Sequence, residues 1–166
     1  MFSYAVVKEG ATMRANQTVA DGTGRGRDVP VAARRGRVFR GYQWALLTFL
    51  LAGVVQIFLA GLGVFSLQNQ GLATTAGDSA FAPHRTLGFA MGALALLILV
   101  LAAIARAGAG AIIGSAVLVL LTSLMQSLLA GLADNHAVFG ALHALDGLLI
   151  LSTAGYLYAR SRRSEL

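Results

Sequence analysis

HRTLGFAMGALALLILVLAAIAR, residues 84–106, and HAVFGALHALDGLLILSTAGYLYAR, residues 136–160, decide how this chain is read. Each is apolar over the roughly 20 residues that a helix needs to cross the hydrocarbon of a bilayer. Each also opens on an imidazole or carries one within its first two turns. Histidine is costly to bury in lipid, so one inside a span marks a functional site or a helix-pairing contact. Working outward, two more runs of the same length stand at about 42–67 and 111–132. With 83–105 and 136–158 they define an all-α chain, an integral membrane four-helix bundle of antiparallel helices joined by short loops.

Composition agrees. Of 166 residues 57% are hydrophobic and 12% charged, against about 25% charged in soluble domains. Four crossings and an arm leave no room for a soluble catalytic domain, and an enzyme is not the favoured reading. The absence of cysteine excludes a disulfide, a thiolate metal site, an iron–sulfur cluster and a covalently attached c-type haem. A net charge of +6 does not point to nucleic acid, because the basic residues flank the apolar runs. Of the 13 Lys and Arg, all but Arg85 fall in the arm, the second loop and the tail. The positive-inside rule then puts both termini in the cytoplasm of a cell whose inner (plasma) membrane holds the chain.

Residues 1–40 read as a basic, disordered cytoplasmic arm, most clearly from Ala15 to Gly36, and Met13 competes with Met1 as the starting residue. Arg34-Arg35 ahead of an apolar run is a weak export-signal feature, but the run is too long for a signal peptide. Residues 41–160 form the membrane domain, and 161–166 a cytoplasmic tail. No short internal repeat stands out.

Within the membrane domain, His84, Gly88 and Gly92 recur every four residues on one face, an imidazole above two residues without bulk. Such a stripe serves either close helix packing or clearance for a planar macrocycle whose iron the imidazole ligates. His143, Asp146 and Gly147 share a face of the last helix, and the carboxylate either pairs with the imidazole to fix packing or acts as a group behind a ligand. Gln126, with Thr122 a turn before it, and Gln56, between Gly53 and Ala60, are polar groups suited to hydrogen bonds across helix interfaces. His136, beside Asn135, reads as interfacial.

The segment 84–160, with HRTLG opening the second helix, QSLLAG (126–131) closing the third and His143 inside the fourth, resembles one four-helix half of a haem A synthase. It is similar also to small four-helix membrane proteins of actinobacteria. The resemblance implies that His84 and His143 hold a haem on its two faces. It implies no haem hydroxylation: a synthase has two such halves, has Glu where this chain has Phe81, and has loop cysteines that are missing here. A b-type haem is what remains.

Depth complicates the choice of ligands. At about 1.5 Å per residue, His84 lies roughly 33 Å from Arg106, and His143 roughly 25 Å from Arg160. If both arginines mark one interface, His136 matches His84 better, and it stands as the substitute ligand.

Two functions stay open. One is a bis-His haem b electron carrier, with His84 and His143 as axial ligands, Gly88 and Gly92 giving clearance, Arg85 meeting a propionate, and Gln126 or Asp146 behind the ligands. Its partner would be a quinone or a redox protein. The other is a non-catalytic scaffold or accessory subunit, in a homo-oligomer or larger membrane complex, whose His and Gln serve helix packing. A small proton-coupled carrier using His143 and Asp146 is a third class, disfavoured because no helix is visibly broken.

Overall fold

The computed structural model describes residues 28–69, 79–133 and 135–163. Among them the chain is helical, and four helices are long and apolar enough to cross a membrane. The chain is a multi-pass membrane protein. The helices are α1 (Asp28–Asn69), α2 (Ala82–Ala105), α3 (Ala109–Ala133) and α4 (Ala137–Arg163).

Boundaries follow local chemistry. Helix α1 starts at Asp28, not near Tyr42, so Asp28–Gly36, expected to be disordered, is helical. Pro30 falls within the first turn, where its missing N–H costs nothing, and the Ala- and Arg-rich segment after it has good helix propensity. The remainder of the expected arm, with Met13, lies outside the described residues, as do residues 164–166 of the expected tail. Pro83 stands in the first turn of α2. That helix ends in a Schellman arrangement: Ala107 N–H reaches Ala102 O, Arg106 N–H reaches Ala103 O, and Arg106 takes the left-handed conformation at φ 51°. Gly108, at φ 90°, completes the turn into α3.

The packing is that of a protein in lipid. Large side chains such as Trp44, Phe58, Phe89, Leu124 and Leu145 lie exposed along all four helices, while Ala45, Ala95, Ala102, Ala154 and Ser115 are buried. Lipid tails are as apolar as leucine, so nothing drives large side chains inward, and small residues let backbones approach closely. Tyr42, Leu46, Phe49, Ile98, Leu118 and Leu157 fill the spaces between.

Contacts set the helices in the cyclic order α1, α2, α3, α4. Gln56 meets His84 between α1 and α2, Gly92 lies against Ser123 between α2 and α3, Gly114 against Leu157 between α3 and α4, and Gly53 against Leu151 between α4 and α1. On α3 and α4 the contacts run from Ala133–Gly140 through Gln126–His143 and Gly114–Leu157 to Gly110–Arg160.

An internal repeat corrects the expectation that there is none. Residues 50–62 read LLAGVVQIFLAGL and residues 120–132 read LLTSLMQSLLAGL, sharing Leu-Leu, Gln and Leu-Ala-Gly-Leu. On α2 the buried residues are Met91, Ala95, Ile98, Ala102 and Ala105; on α4 they are Asp146, Ile150, Ala154, Leu157 and Ser161. Met91, Ala95, Ile98 and Ala102 each become, 59 positions on, Ile150, Ala154, Leu157 and Ser161. The chain is a helix pair used twice. The duplication is hard to read from sequence because identity is confined to one element of each pair, and α2 and α4 share burial positions more than residues.

One turn departs from the repeat. Leu120–Met125 within α3 is π-helical. In α1, Phe49 and Gln56 are seven residues apart, two helical turns to within about 20°, so both face inward. In α3, Leu118 and Gln126 are eight apart, which in a regular helix would turn one of them away by about 80°. The wide turn absorbs the extra residue, and Leu118 stays fully buried while Gln126 still reaches α4.

Candidate functional site

Each half of the chain holds one histidine by the same clamp. The Gln56 side-chain amide donates through Nε2 to His84 O at 2.8 Å, and the His84 ring nitrogen Nδ1 stands 3.2 Å from Gln56 O. The Gln126 amide donates to His143 O at 3.0 Å, and His143 Nδ1 stands 3.2 Å from Gln126 O. A carbonyl oxygen can only accept, so in both pairs Nδ1 carries the proton and Nε2 keeps its lone pair. Each glutamine thus fixes the backbone, ring and tautomer of a histidine on the neighbouring helix.

A glycine one turn after each histidine gives the clamp room. A Cβ at Gly88 would stand 3.3 Å from the Gln56 amide nitrogen, and one at Gly147 would stand 3.7 Å from that of Gln126. Gly92 sits beside Ser123, whose hydroxyl oxygen would be 3.1 Å from an added Cβ.

Helices α2 and α4 occupy opposite corners of the cyclic order, and their two histidines meet across it. The ring centroids of His84 and His143 lie 6.2 Å apart, with the planes inclined at 57°. His136 is exposed, and its ring lies 6.2 Å from that of Phe139 on its own helix. The depth estimate that favoured His136 took Arg106 and Arg160 as level. They are not: Ala102 and Ser161 occupy matching buried positions, each 18 residues beyond its histidine (102 − 84 and 161 − 143), and α4 continues to Arg163.

No protein-family model, curated protein or solved structure matches the chain. Among the described residues no group of three or more His, Asp or Glu could hold a metal ion. Two imidazoles on opposite sides of one metal, with bonds of about 2.0–2.1 Å, bring their ring centres to roughly 6.4 Å. The observed centroid separation is close to that distance, and with each Nδ1 engaged the remaining ring nitrogen is Nε2.

Polar groups around the pair are incompletely satisfied. Gln56 Oε1, Thr122 Oγ1 and Asp146 Oδ2 are buried with no hydrogen-bond partner. Asp146, 7% exposed, lies next to Gln126 and His143 and takes the place that Leu87 has in the first half. Arg85 follows His84 on the exposed surface of α2. Gln56 is the residue that sequence reasoning undervalued: its pairing with a histidine is announced only by the QxxLAGL motif that it shares with Gln126.

Proposed function

We propose that the protein is an electron carrier of the membrane that binds one b-type haem between His84 and His143. The observation that carries this reading is the 6.2 Å separation of two imidazoles whose Nδ1 atoms are both committed to backbone carbonyls. Such a pair suits a metal that brings its own equatorial ligands, as a haem does. Bound there, a haem would be held by His84 and His143 and would supply one-electron transfer.

The chain's own residues do the rest. Gln56 and Gln126 hold the imidazoles at fixed tautomer and orientation, which raises ligand basicity and limits rearrangement between oxidation states. Gly88 and Gly147 keep those amides unobstructed, and Gly92 lets Ser123 of α3 approach a turn further along the His84 face. Arg85, at the exposed edge, would meet a propionate, and the unpartnered oxygens of Gln56, Thr122 and Asp146 offer polar contacts beside the ring. Electrons would be exchanged with a quinone or another redox protein.

The same reading takes the four helices as an antiparallel bundle in the inner membrane with both termini cytoplasmic. Its support is the gathering of Arg37, Arg40, Arg106, Arg160, Arg162 and Arg163 at one end, with Arg85 at the other.

The test is the spectrum of the full chain, expressed with ample haem and purified in detergent. A reduced-minus-oxidised difference spectrum should show a sharp α-band at the b-type position. His84→Ala and His143→Ala should each abolish it, and His136→Ala should leave it unchanged. Colourless protein, or a band that survives in both variants, would overturn the proposal and return the histidines to helix packing.

A further inference from the structure

The contacts around the histidines recur when the two halves are exchanged. Gln56–His84 and Gly63–Phe81, between α1 and α2, become Gln126–His143 and Ala133–Gly140, between α3 and α4. The offset is 70 residues on the first helix of each pair (56 to 126) and 59 on the second (84 to 143). The same offsets turn the α1–α4 contact Gly53–Leu151 into the α3–α2 contact Ser123–Gly92. Those last two contacts join one half to the other, so the relation is a half-turn of the whole bundle. Its axis passes between His84 and His143, whose ring centroids lie 6.2 Å apart.

We infer, resting on the haem reading above, that the pocket accepts a haem b either way round, with its two faces exchanged, and that Thr122 and Asp146 set the balance between the two orientations. A haem b does not share the half-turn. Turned over about the line that runs between its propionates, it presents vinyl groups where it had methyl groups, while the two propionates change places. Arg85 would therefore meet a propionate in either orientation. The clamps do not distinguish the faces either, since Gln126 holds His143 as Gln56 holds His84, with both Nδ1 atoms 3.2 Å from their carbonyls.

One orientation is favoured only where matching positions differ. Close to the histidines many do not: Leu59, Ala60 and Gly61 match Leu129, Ala130 and Gly131, and Gly88 matches Gly147. Gly92 and Leu151 differ, but each is engaged with a neighbouring helix, at Ser123 and Gly53. What remains is chemical. Asp146 takes the place of Leu87, and Thr122 takes the place of Ala52. Asp146 is 7% exposed, and its Oδ2 and the Thr122 Oγ1 are buried without hydrogen-bond partners. Gln126 meets His143 and Gly114 meets Leu157, so Thr122 and Asp146 fall within about one turn of each other along the bundle. The second half thus has two polar oxygens at one level where the first half has hydrocarbon. Vinyl and methyl groups are both apolar, so neither orientation gains a hydrogen bond that the other lacks. The difference is one of contact, and populations within about tenfold of each other follow.

The full chain is loaded with ferric haem b in detergent, and proton NMR reads the ring methyl resonances that the paramagnetic iron shifts clear of the protein signals. Two complete sets are expected, unequal by no more than about tenfold. A haem isomer whose vinyl groups exchange with each other on turning over should give one set. Asp146→Leu combined with Thr122→Ala, which copies the first half, should change the ratio and bring the two sets to within about twofold of each other. The wild-type measurement stands without the variant. A single set with haem b, or two sets that persist with the symmetric isomer, would overturn the inference and leave the haem reading in place. A ratio unchanged in the folded, haem-loaded variant would overturn the role of the two oxygens. A chain that takes up neither pigment would overturn this inference and the haem reading together.

Discussion

The α1–α2 half and the α3–α4 half hold their histidines alike and pack around them differently. Both use a glutamine on the first helix, a histidine on the second and a glycine one turn after the histidine. Around that constant core, the packing partners differ in size. In the first half Gly63 receives the Phe81 ring; at the matching positions of the second, Ala133 meets Gly140. Gly53 of α1 yields to Leu151, whereas Ser123 of α3 faces Gly92. Volume at these facing pairs is not conserved: Phe81 and Leu151 each pack on a glycine where the matching pair sets two small residues together, as small residues at membrane helix interfaces permit. What does not vary is the hydrogen bonding of the imidazoles. That contrast marks the clamp as the constrained part of the molecule.

The largest effect expected from breaking the comparison comes from helix register. Deleting Val54, an exposed residue between Phe49 and Gln56, rotates one of those two away from the interior by about 100°. Deleting Leu124, exposed within the π turn, shortens eight residues to the seven that α1 already uses. The first deletion should abolish haem retention and the cooperative thermal transition. The second should keep both, with α3 becoming regular. Equal damage from the two deletions would show that the wide turn is needed for more than register.

Next in size are the glutamines. Gln56→Leu and Gln126→Leu remove the side-chain arm of each clamp and leave the backbone carbonyl in place. The ring's own partner, the backbone carbonyl, stays, so each variant loses one hydrogen bond to the histidine backbone, worth about 1 kcal/mol, and a haem titration should find both variants weakened by a similar few-fold factor. A loss confined to one would mean that the repeat is structural and that one imidazole dominates binding.

Much of this contrast is legible in the sequence once it is known where to look. Four apolar runs, the turn at Arg106–Gly108 and the pairing of His84 with His143 follow from hydropathy, glycine placement and resemblance. The clamps do not, because Gln56 and Gln126 look like ordinary interface residues until contacts show each meeting a histidine on the next helix. Nor does the π turn: one residue too many between Leu118 and Gln126 becomes visible only when the second half is laid over the first. Depth was misjudged at Arg160 for a related reason, since an arginine can sit inside the last turns of a helix and reach outward along its stem.

Smaller effects come from the packing swaps. A Cβ at Gly63 would stand 2.6 Å from a ring carbon of Phe81, and one at Gly140 would stand 3.7 Å from Ala133 Cβ. Gly63→Ala should cost about 1–3 kcal/mol through overpacking against a rigid ring. Gly140→Ala makes an ordinary contact and should add up to about 1 kcal/mol of helix propensity. Thermal melts in detergent should move in opposite directions. A shared direction would mean that the two ends of the repeat are not equivalent environments.

The smallest effect expected is also the sharpest test of what the halves do not share. Asp146 occupies in α4 the position of Leu87 in α2, buried, with one carboxylate oxygen unpartnered. If this carboxylate is only a tolerated departure from the repeat, Asp146→Leu makes the second half resemble the first and removes an unsatisfied polar atom. Stability should then rise by about 1 kcal/mol, with spectrum and haem affinity unchanged. If instead Asp146 supports the Gln126–His143 clamp, the same substitution should lower haem retention while Leu87→Ala, at the matching place, does not. Melting temperature and haem content read on one sample separate the two outcomes, because a packing residue moves the first alone and a residue acting through the imidazole moves both.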